Sequence, residues 1–185
     1  VPKKLKFKYT RNILLRRPFS FSDVIKKENS VVIEILYCVV GPSSLRMMNL
    51  KENEIISVMG PLGNGFGLKP EKSIALLAVG GMGAGPLIHL SKQLRENKPG
   101  MEILGFVGAR SLDELPFENL DETIQACKGD WVGEFARSRV DTIVATDDGT
   151  AGFKGFITEG FEDHLKQTGM DHSQAVVYAC GPEVM

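Results

Sequence analysis

Between Ile74 and Pro86 the chain reads IALLAVGGMGAGP, an uncharged run that enters a cluster of glycines and then a proline. Residues of these types suit phosphate binding. Gly81, Gly83 and Gly85 let a backbone approach a ligand closely, and Pro86 fits the first turn of a helix, where its missing N–H costs nothing. Unpaired N–H groups at such a helix start, with the positive end of its dipole, favour a pyrophosphate. The spacing departs from Gly-x-Gly-x-x-Gly, because Pro86 stands where the third glycine would be. Arg110 stands where an acidic residue would hold a ribose 2′-hydroxyl. A turn that only joins strand to helix is the alternative at this point.

Other segments carry groups able to do chemistry. In Arg16-Arg17-Pro18-Phe19-Ser20 a guanidinium can clamp a phosphate, while the ring and hydroxyl can meet a flat heteroaromatic ligand. A solvated arginine pair beside a core phenylalanine explains the same residues. Gly60 to Gly67 reads GPLGNGFG, suited to tight turns and placed where one domain hands over to the next, a common location for cofactor clefts. Asp147 and Asp148, in TDDGT, and Cys180, in the Cys180-Gly181-Pro182 turn, each follow a strand-like run. Open α/β sheets bind ligands along that carboxyl edge. Taken singly, the two aspartates also suit turn formation and the cysteine suits a small buried site.

The elements that must position these groups change in texture along the chain. Lys4 to Tyr9 alternates basic and apolar residues, a strand with one wet face, and further strands are predicted at 13–15, 31–40 and 54–59. No helical pattern intervenes, so residues 1–70 are expected to form a small antiparallel barrel. From residue 71 to 185, strands predicted at 73–79, 102–107, 142–146 and 175–179 alternate with helices. One helix carries Leu87, Leu90 and Leu94 on a face, and another covers about 157–166 before Gly169. That alternation predicts a parallel doubly wound α/β domain.

Composition bounds the function from outside. The 185 residues are 43% hydrophobic and 24% charged with a net charge of −1, which gives no bulk attraction to nucleic acid or acidic membranes. No apolar run approaches the about 20 residues of a membrane-spanning helix. Three widely spaced cysteines, Cys38, Cys127 and Cys180, match neither a disulfide framework nor a metal motif, and a cytoplasmic setting is expected. The first residue is Val1 and the last Met185, so the chain is read as a piece lacking both termini of a larger protein.

Taken in order, RPFS from Arg17, GPLGNGF from Gly60, GGMGAGP from Gly80, TDDGT from Thr146 and CGP from Cys180 resemble the ferredoxin-NADP reductase superfamily of flavoproteins. Within it the chain is most similar to the electron-transfer subunits of dihydroorotate dehydrogenase. The resemblance implies FAD on the barrel and NAD, with NADP as the alternative, on the α/β domain. By analogy Arg17, Pro18, Phe19 and Ser20 meet the flavin and its phosphates. Gly41, Ser43 and Ser44 correspond to a Gly-x-Gly-Thr turn at the FAD pyrophosphate, with Ser43 in place of the second glycine. Gly80, Gly81, Gly83 and Pro86 face the nicotinamide nucleotide, and Arg110 its adenosine side. Asp147 and Asp148 belong to the same edge, and Cys180, with Gly181 and Pro182, lies at the nicotinamide end, where it is the candidate catalytic residue.

The resemblance further implies an NAD(P)H-linked reductase subunit in a hetero-oligomer with an FMN-containing dehydrogenase, serving dihydroorotate oxidation in pyrimidine biosynthesis. A 2Fe-2S cluster is implied only by a cysteine-rich segment that the family carries beyond the Cys-Gly-Pro turn, and no metal ligands are expected within these residues. The alternatives are the diaphorase subunit of a hydrogenase or another multisubunit oxidoreductase, and a non-catalytic nucleotide-binding assembly module.

Overall fold

A computed structural model describes residues 16–117 and 133–182. The strands expected at 4–9 and 13–15, and Cys127, lie outside the described residues.

The residues group into two compact units. One comprises residues up to Phe19 together with Tyr37–Gly65. Among its described residues the regular element is the helix α1, Pro42–Met48. This corrects the expectation of strand and loop alone: Pro42 opens the helix at the position where its lacking N–H is harmless, and Ser44 caps it from within. The strand expected at 54–59 has no ladder among the described residues. Ile55, Ile56, Val58 and Met59 are β-prone but exposed, and a strand exists only where a neighbour carries its hydrogen bonds.

The second unit holds Ser20–Leu36 and everything from Phe66 onward. Its first element is an antiparallel hairpin of β1 (Asp23–Lys27) and β2 (Ser30–Glu34), paired from Asp23↔Glu34 to Lys27↔Ser30. The strand predicted over 31–40 therefore stops at Glu34, where its partner ends.

A parallel sheet follows, built from β3 (Ile74–Gly80), β4 (Glu102–Ala109), β5 (Asp141–Thr146), β6 (Phe153–Lys154) and β7 (Ala175–Cys180). Their spatial order is β6-β5-β4-β3-β7, all parallel. The helix α2 (Ala84–Asn97) joins β3 to β4, and α3 (Ile157–Thr168) leads back across the sheet toward β7. Winding thus runs from β3 in one direction and then resumes on β3's other side, as the doubly wound expectation requires.

Side-chain alternation explains why these strands read as apolar runs. Ala75, Leu77, Val79, Ile103 and Val107 pack with Leu87, Leu90 and Leu94 of α2, while Leu76, Leu104 and Phe106 face Ile157, Phe161 and Leu165 of α3. Both faces are buried, so neither tolerates charge. Phe106 is fully buried, its ring edge-on to Phe161 at 4.7 Å. Helix α3 stops at Gly169, whose φ of 58° is left-handed backbone that glycine adopts freely.

The far end of α2 is stitched to backbone. The Arg95 guanidinium donates to the carbonyls of Ser138, Arg139, Pro99 and Met101. Lys98 reaches the carbonyls of Pro70 and Lys72. The hairpin is tied to the same helix, with Lys92 Nζ 2.7 Å and 3.0 Å from the two Asp23 carboxylate oxygens.

Candidate functional site

The carboxyl edge of the parallel sheet gathers four chain segments, each launched by the end of a strand: Gly80 of β3, Ala109 of β4, Thr146 of β5 and Cys180 of β7. Adjacent strands are in register there, with Val79 beside both Val107 and Cys180. The winding reverses between β3 and β7, and that is where open α/β sheets leave a crevice.

At this crevice the backbone of the glycine turn meets the Cys-Gly-Pro turn. A Cβ on Gly83 would lie 1.9 Å from the Cys180 carbonyl oxygen and 2.9 Å from the Gly181 nitrogen. Only a residue without a side chain permits the approach. Gly80 and Gly83 are buried, whereas a Cβ on Gly81 would enter open space. Pro86 lies in the first turn of α2, a turn with no acidic residue and no side-chain cap. The Ala84 N–H is taken by the Gly81 carbonyl and Pro86 has none, so what this end offers an external anion is chiefly the positive end of the helix dipole and the backbone of the glycine turn.

Cys180 is a half-buried free thiol whose pKa is pushed up by desolvation, so it stays a neutral thiol near neutral pH. Gly181 and Pro182 are exposed. Two residues before Cys180, the Tyr178 hydroxyl donates to the Gly67 carbonyl at 3.1 Å and its ring meets Phe66 edge-on at 5.7 Å. The end of the second glycine-rich stretch is therefore anchored on β7. Periodicity gave no sign of that contact, since it joins residues 111 apart in sequence.

Along the same edge, Asp147 and Asp148 are exposed in the turn after β5. The Asp148 carboxylate accepts from the Thr150 N–H at 3.0 Å and from its hydroxyl at 2.7 Å, bonds that hold its pKa below the ordinary aspartate value. The Thr150 hydroxyl in turn accepts from the Leu112 N–H at 2.9 Å. Asp148 thus shapes the turn and couples it to the segment after β4, as its turn-forming alternative requires. Asp147 and Asp148 donate backbone N–H groups to the Ala109 and Arg110 carbonyls, both at 3.1 Å, extending the ladder past the strands. The Arg110 side chain is exposed and paired with Glu114, a residue the motif reading had passed over although it sits one turn after Arg110.

The first unit holds its own set of predicted residues. Arg17, Pro18 and Phe19 are exposed, as is Ser20 at the start of the second unit. The Phe19 ring stands edge-on to Tyr37 at 6.2 Å. Arg16, rather than Arg17, binds protein, donating to the Ser57 carbonyl and hydroxyl at 3.2 Å each. Arg17 has no hydrogen bond or ion pair among the described residues.

At the start of α1, the Ser44 hydroxyl accepts from the N–H groups of Val40 at 3.0 Å and Gly41 at 3.1 Å and is itself buried. That hydroxyl is committed to its own loop, while Ser43 remains half-exposed. Gly41 has extended φ of −167° and open space where a Cβ would point, so neither conformation nor packing explains a glycine there.

Among the described residues no three His, Cys, Asp or Glu side chains gather into a metal site, and no helix is long and apolar enough to cross a membrane. Among the described residues this edge presents backbone groups, one neutral thiol and a charged rim.

Comparison with known proteins agrees with this arrangement. No protein-family model matches the chain. The electron-transfer subunit of dihydroorotate dehydrogenase B (NAD(+)) from Fusobacterium nucleatum is 34% identical over 177 residues, 95% of this chain and 60% of that protein. Its counterparts from Desulforamulus reducens and Bacillus velezensis are 32% and 37% identical, over 95% and 93% of this chain and 59% and 58% of theirs. The chain therefore spans at most 60% of the length of these curated relatives.

Among solved structures, an NADH-dependent reduced ferredoxin-NADP oxidoreductase superposes with a TM-score of 0.68 at 26% identity, over 92% of this chain and 53% of that one. An Amycolatopsis cytochrome P450 reductase shares the fold at a TM-score of 0.55 and 19% identity, over 92% and 49% of the two chains. A parallel doubly wound sheet preceded by antiparallel strands, a glycine turn locked onto a Cys-Gly-Pro turn, and sequence likeness along nearly its whole length make this chain similar to part of the electron-transfer subunits of dihydroorotate dehydrogenase B, with the fold of the solved ferredoxin-NADP oxidoreductase.

Proposed function

We propose that the chain is part of a flavoprotein reductase subunit that passes electrons between a nicotinamide nucleotide and FAD. The observation that carries this is the close backbone approach of Gly83 to Cys180 and Gly181, which joins a pyrophosphate-type helix start to a thiol-bearing turn at the switch point of the sheet. When bound, the two cofactors supply the hydride and single-electron chemistry.

The protein's share is placement. Backbone N–H groups of the Gly81–Gly83 turn and the positive end of α2 hold the pyrophosphate, with Pro86 fixing the helix entry. Cys180, neutral and half-buried, packs against the nicotinamide end, orients it and excludes water. Arg17 supplies a charge-assisted bond to a flavin phosphate, Phe19 and Ser20 border the flavin ring, and Gly41 and Ser43 leave room for its pyrophosphate. In this reading residues 1–70 belong to the flavin domain and 71–185 to the nucleotide domain, with Ser20–Leu36 and residues 66–70 grouped in the second compact unit.

The partner in this reading is an FMN-containing catalytic subunit that oxidises dihydroorotate in the cytoplasm, with NAD as the preferred nucleotide. A 2Fe-2S cluster enters only where the full protein supplies a cysteine-rich segment after these residues. A second reading is favoured by the solved oxidoreductase at 26% identity, a different flavin enzyme: a diaphorase-type subunit of another multisubunit oxidoreductase.

The test uses the full-length protein carrying this chain. A bound-flavin absorption spectrum and NADH-dependent dye reduction are expected, and dihydroorotate-dependent NAD reduction on adding the catalytic subunit. Protein that carries no flavin and reduces no dye overturns the reductase reading. Dye reduction with no dihydroorotate activity selects the second reading.

A further inference from the structure

A dinucleotide fold commonly ends its second strand in an acidic residue that accepts the ribose 2′-hydroxyl, and a guanidinium nearby favours a 2′-phosphate instead. Here that strand, β4, runs into Arg110. The guanidinium is not bare. Its Nε lies 3.6 Å from Glu114 Oε2, and both side chains are open to solvent, at 82% and 51% exposure, so a ligand at the edge meets the pair and not Arg110 alone.

Glu114 is held where it is by more than this contact. It ends the short turn Leu112–Glu114, whose first N–H donates to the Thr150 hydroxyl. Thr150 donates to Asp148, and the Asp148 N–H donates to the Arg110 carbonyl. The network closes a ring through the turns after β4 and β5 and fixes the backbone that carries Arg110 and Glu114. The surrounding charges act in the same direction. Asp113, Asp147 and Asp148 are exposed on these turns, and among the described residues Lys154, whose stem lies against Gly149, is the other cation there. Carboxylates outnumber cations on this rim, which repels a dianion.

We propose that Glu114 is a specificity-determining residue for the nucleotide: it neutralises Arg110 and rejects a ribose 2′-phosphate, so that the edge accepts adenosine with a free 2′-hydroxyl. The inference rests on the nicotinamide-nucleotide reading above and adds the residue that selects between the two nucleotides.

Fragment binding tests it without any flavin or turnover. Calorimetry on the full-length protein compares 5′-AMP with 2′,5′-ADP, in wild type, Glu114→Gln, and Glu114→Gln combined with Arg110→Leu. Glu114→Gln is expected to tighten 2′,5′-ADP by about tenfold while leaving 5′-AMP within about twofold, because one opposing charge is removed and one cation released. Adding Arg110→Leu abolishes the gain, and raising the salt concentration shrinks it. Unchanged 2′,5′-ADP affinity in Glu114→Gln, or an equal rise for 5′-AMP, overturns the proposal. Wild type that binds 5′-AMP while Glu114→Gln shows no discrimination sinks this inference alone, whereas wild type that binds neither 5′-AMP nor NADH removes the nucleotide reading with it. The substituted side chain is exposed, and an unchanged melting temperature confirms that the variant is folded.

Discussion

Gly83 and Cys180 meet backbone to backbone, with the Cys180 carbonyl occupying the space that a Cβ on Gly83 would need, 1.9 Å from its position. The contact ties the start of α2 to the end of β7. Gly83→Ala must push one of the two turns away, and neither is a flexible side-chain tip. A loss of about 3 kcal/mol in urea unfolding is expected, with weakened NADH binding measured by fluorescence titration. A variant as stable as wild type and binding normally would show that the turns are not locked together.

Cys38 is exposed and Cys180 is half-buried with its thiol pKa raised by desolvation. Because the thiolate is the reactive form, iodoacetamide at neutral pH should label Cys38 well before Cys180. Saturating NADH should slow Cys180 further and leave Cys38 unaffected, as read by mass spectrometry of tryptic peptides. Equal protection of both thiols would remove Cys180 from the nucleotide end.

The Tyr178 hydroxyl is the polar link between β7 and Gly67. Tyr178→Phe keeps the ring against Phe66 and deletes one hydrogen bond, at a cost of about 1 kcal/mol. Faster hydrogen exchange near residues 66–68, with the sheet protected as before, is the expected signature. Uniform loosening of the whole sheet would contradict a local anchor.

The hairpin β1–β2 is fastened through Asp23. Burial alone would raise its pKa, but the Lys92 hydrogen bond, the Val24 N–H and the charge of Lys92, with a smaller contribution from His89, together lower it. A carboxylate depressed in the native state stabilises fully above the ordinary aspartate range and ceases to do so as the pH falls through its lowered native value. Hairpin protection in hydrogen exchange should therefore hold at neutral pH and decline only in strong acid. Lys92→Met should cost about 1 kcal/mol at neutral pH and flatten that acid dependence. An acid profile identical in both proteins would dismiss the tie.

The parallel sheet was legible because burial on both faces leaves uncharged runs in the sequence. Ile74–Gly80 and Glu102–Ala109 are read within a residue or two of their ends, and Gly169 marks the stop of α3. The N-terminal part was not. Each hairpin strand is five residues long and half-exposed, too short and too wet for alternation to stand out. Pro42–Met48 carries two serines and an arginine in one short helix, so its cap rather than its periodicity defines it. At the site, strand ends and turns located the edge, whereas Tyr178 with Gly67 and Thr150 with Leu112 are contacts between distant residues that no local pattern encodes.

Helix α2 ends in two cations, Arg95 and Lys98, both engaged with backbone carbonyls, while its first turn carries no acid. A helix is ordinarily a dipole whose two ends cancel at a distance. With Arg95 and Lys98 beside its carbonyl end and no carboxylate in its first turn, α2 presents a local positive potential at the glycine turn. That potential is confined to the first turn, so it holds a phosphate already seated there, while the exposed carboxylates of the outer rim decide which anions reach it.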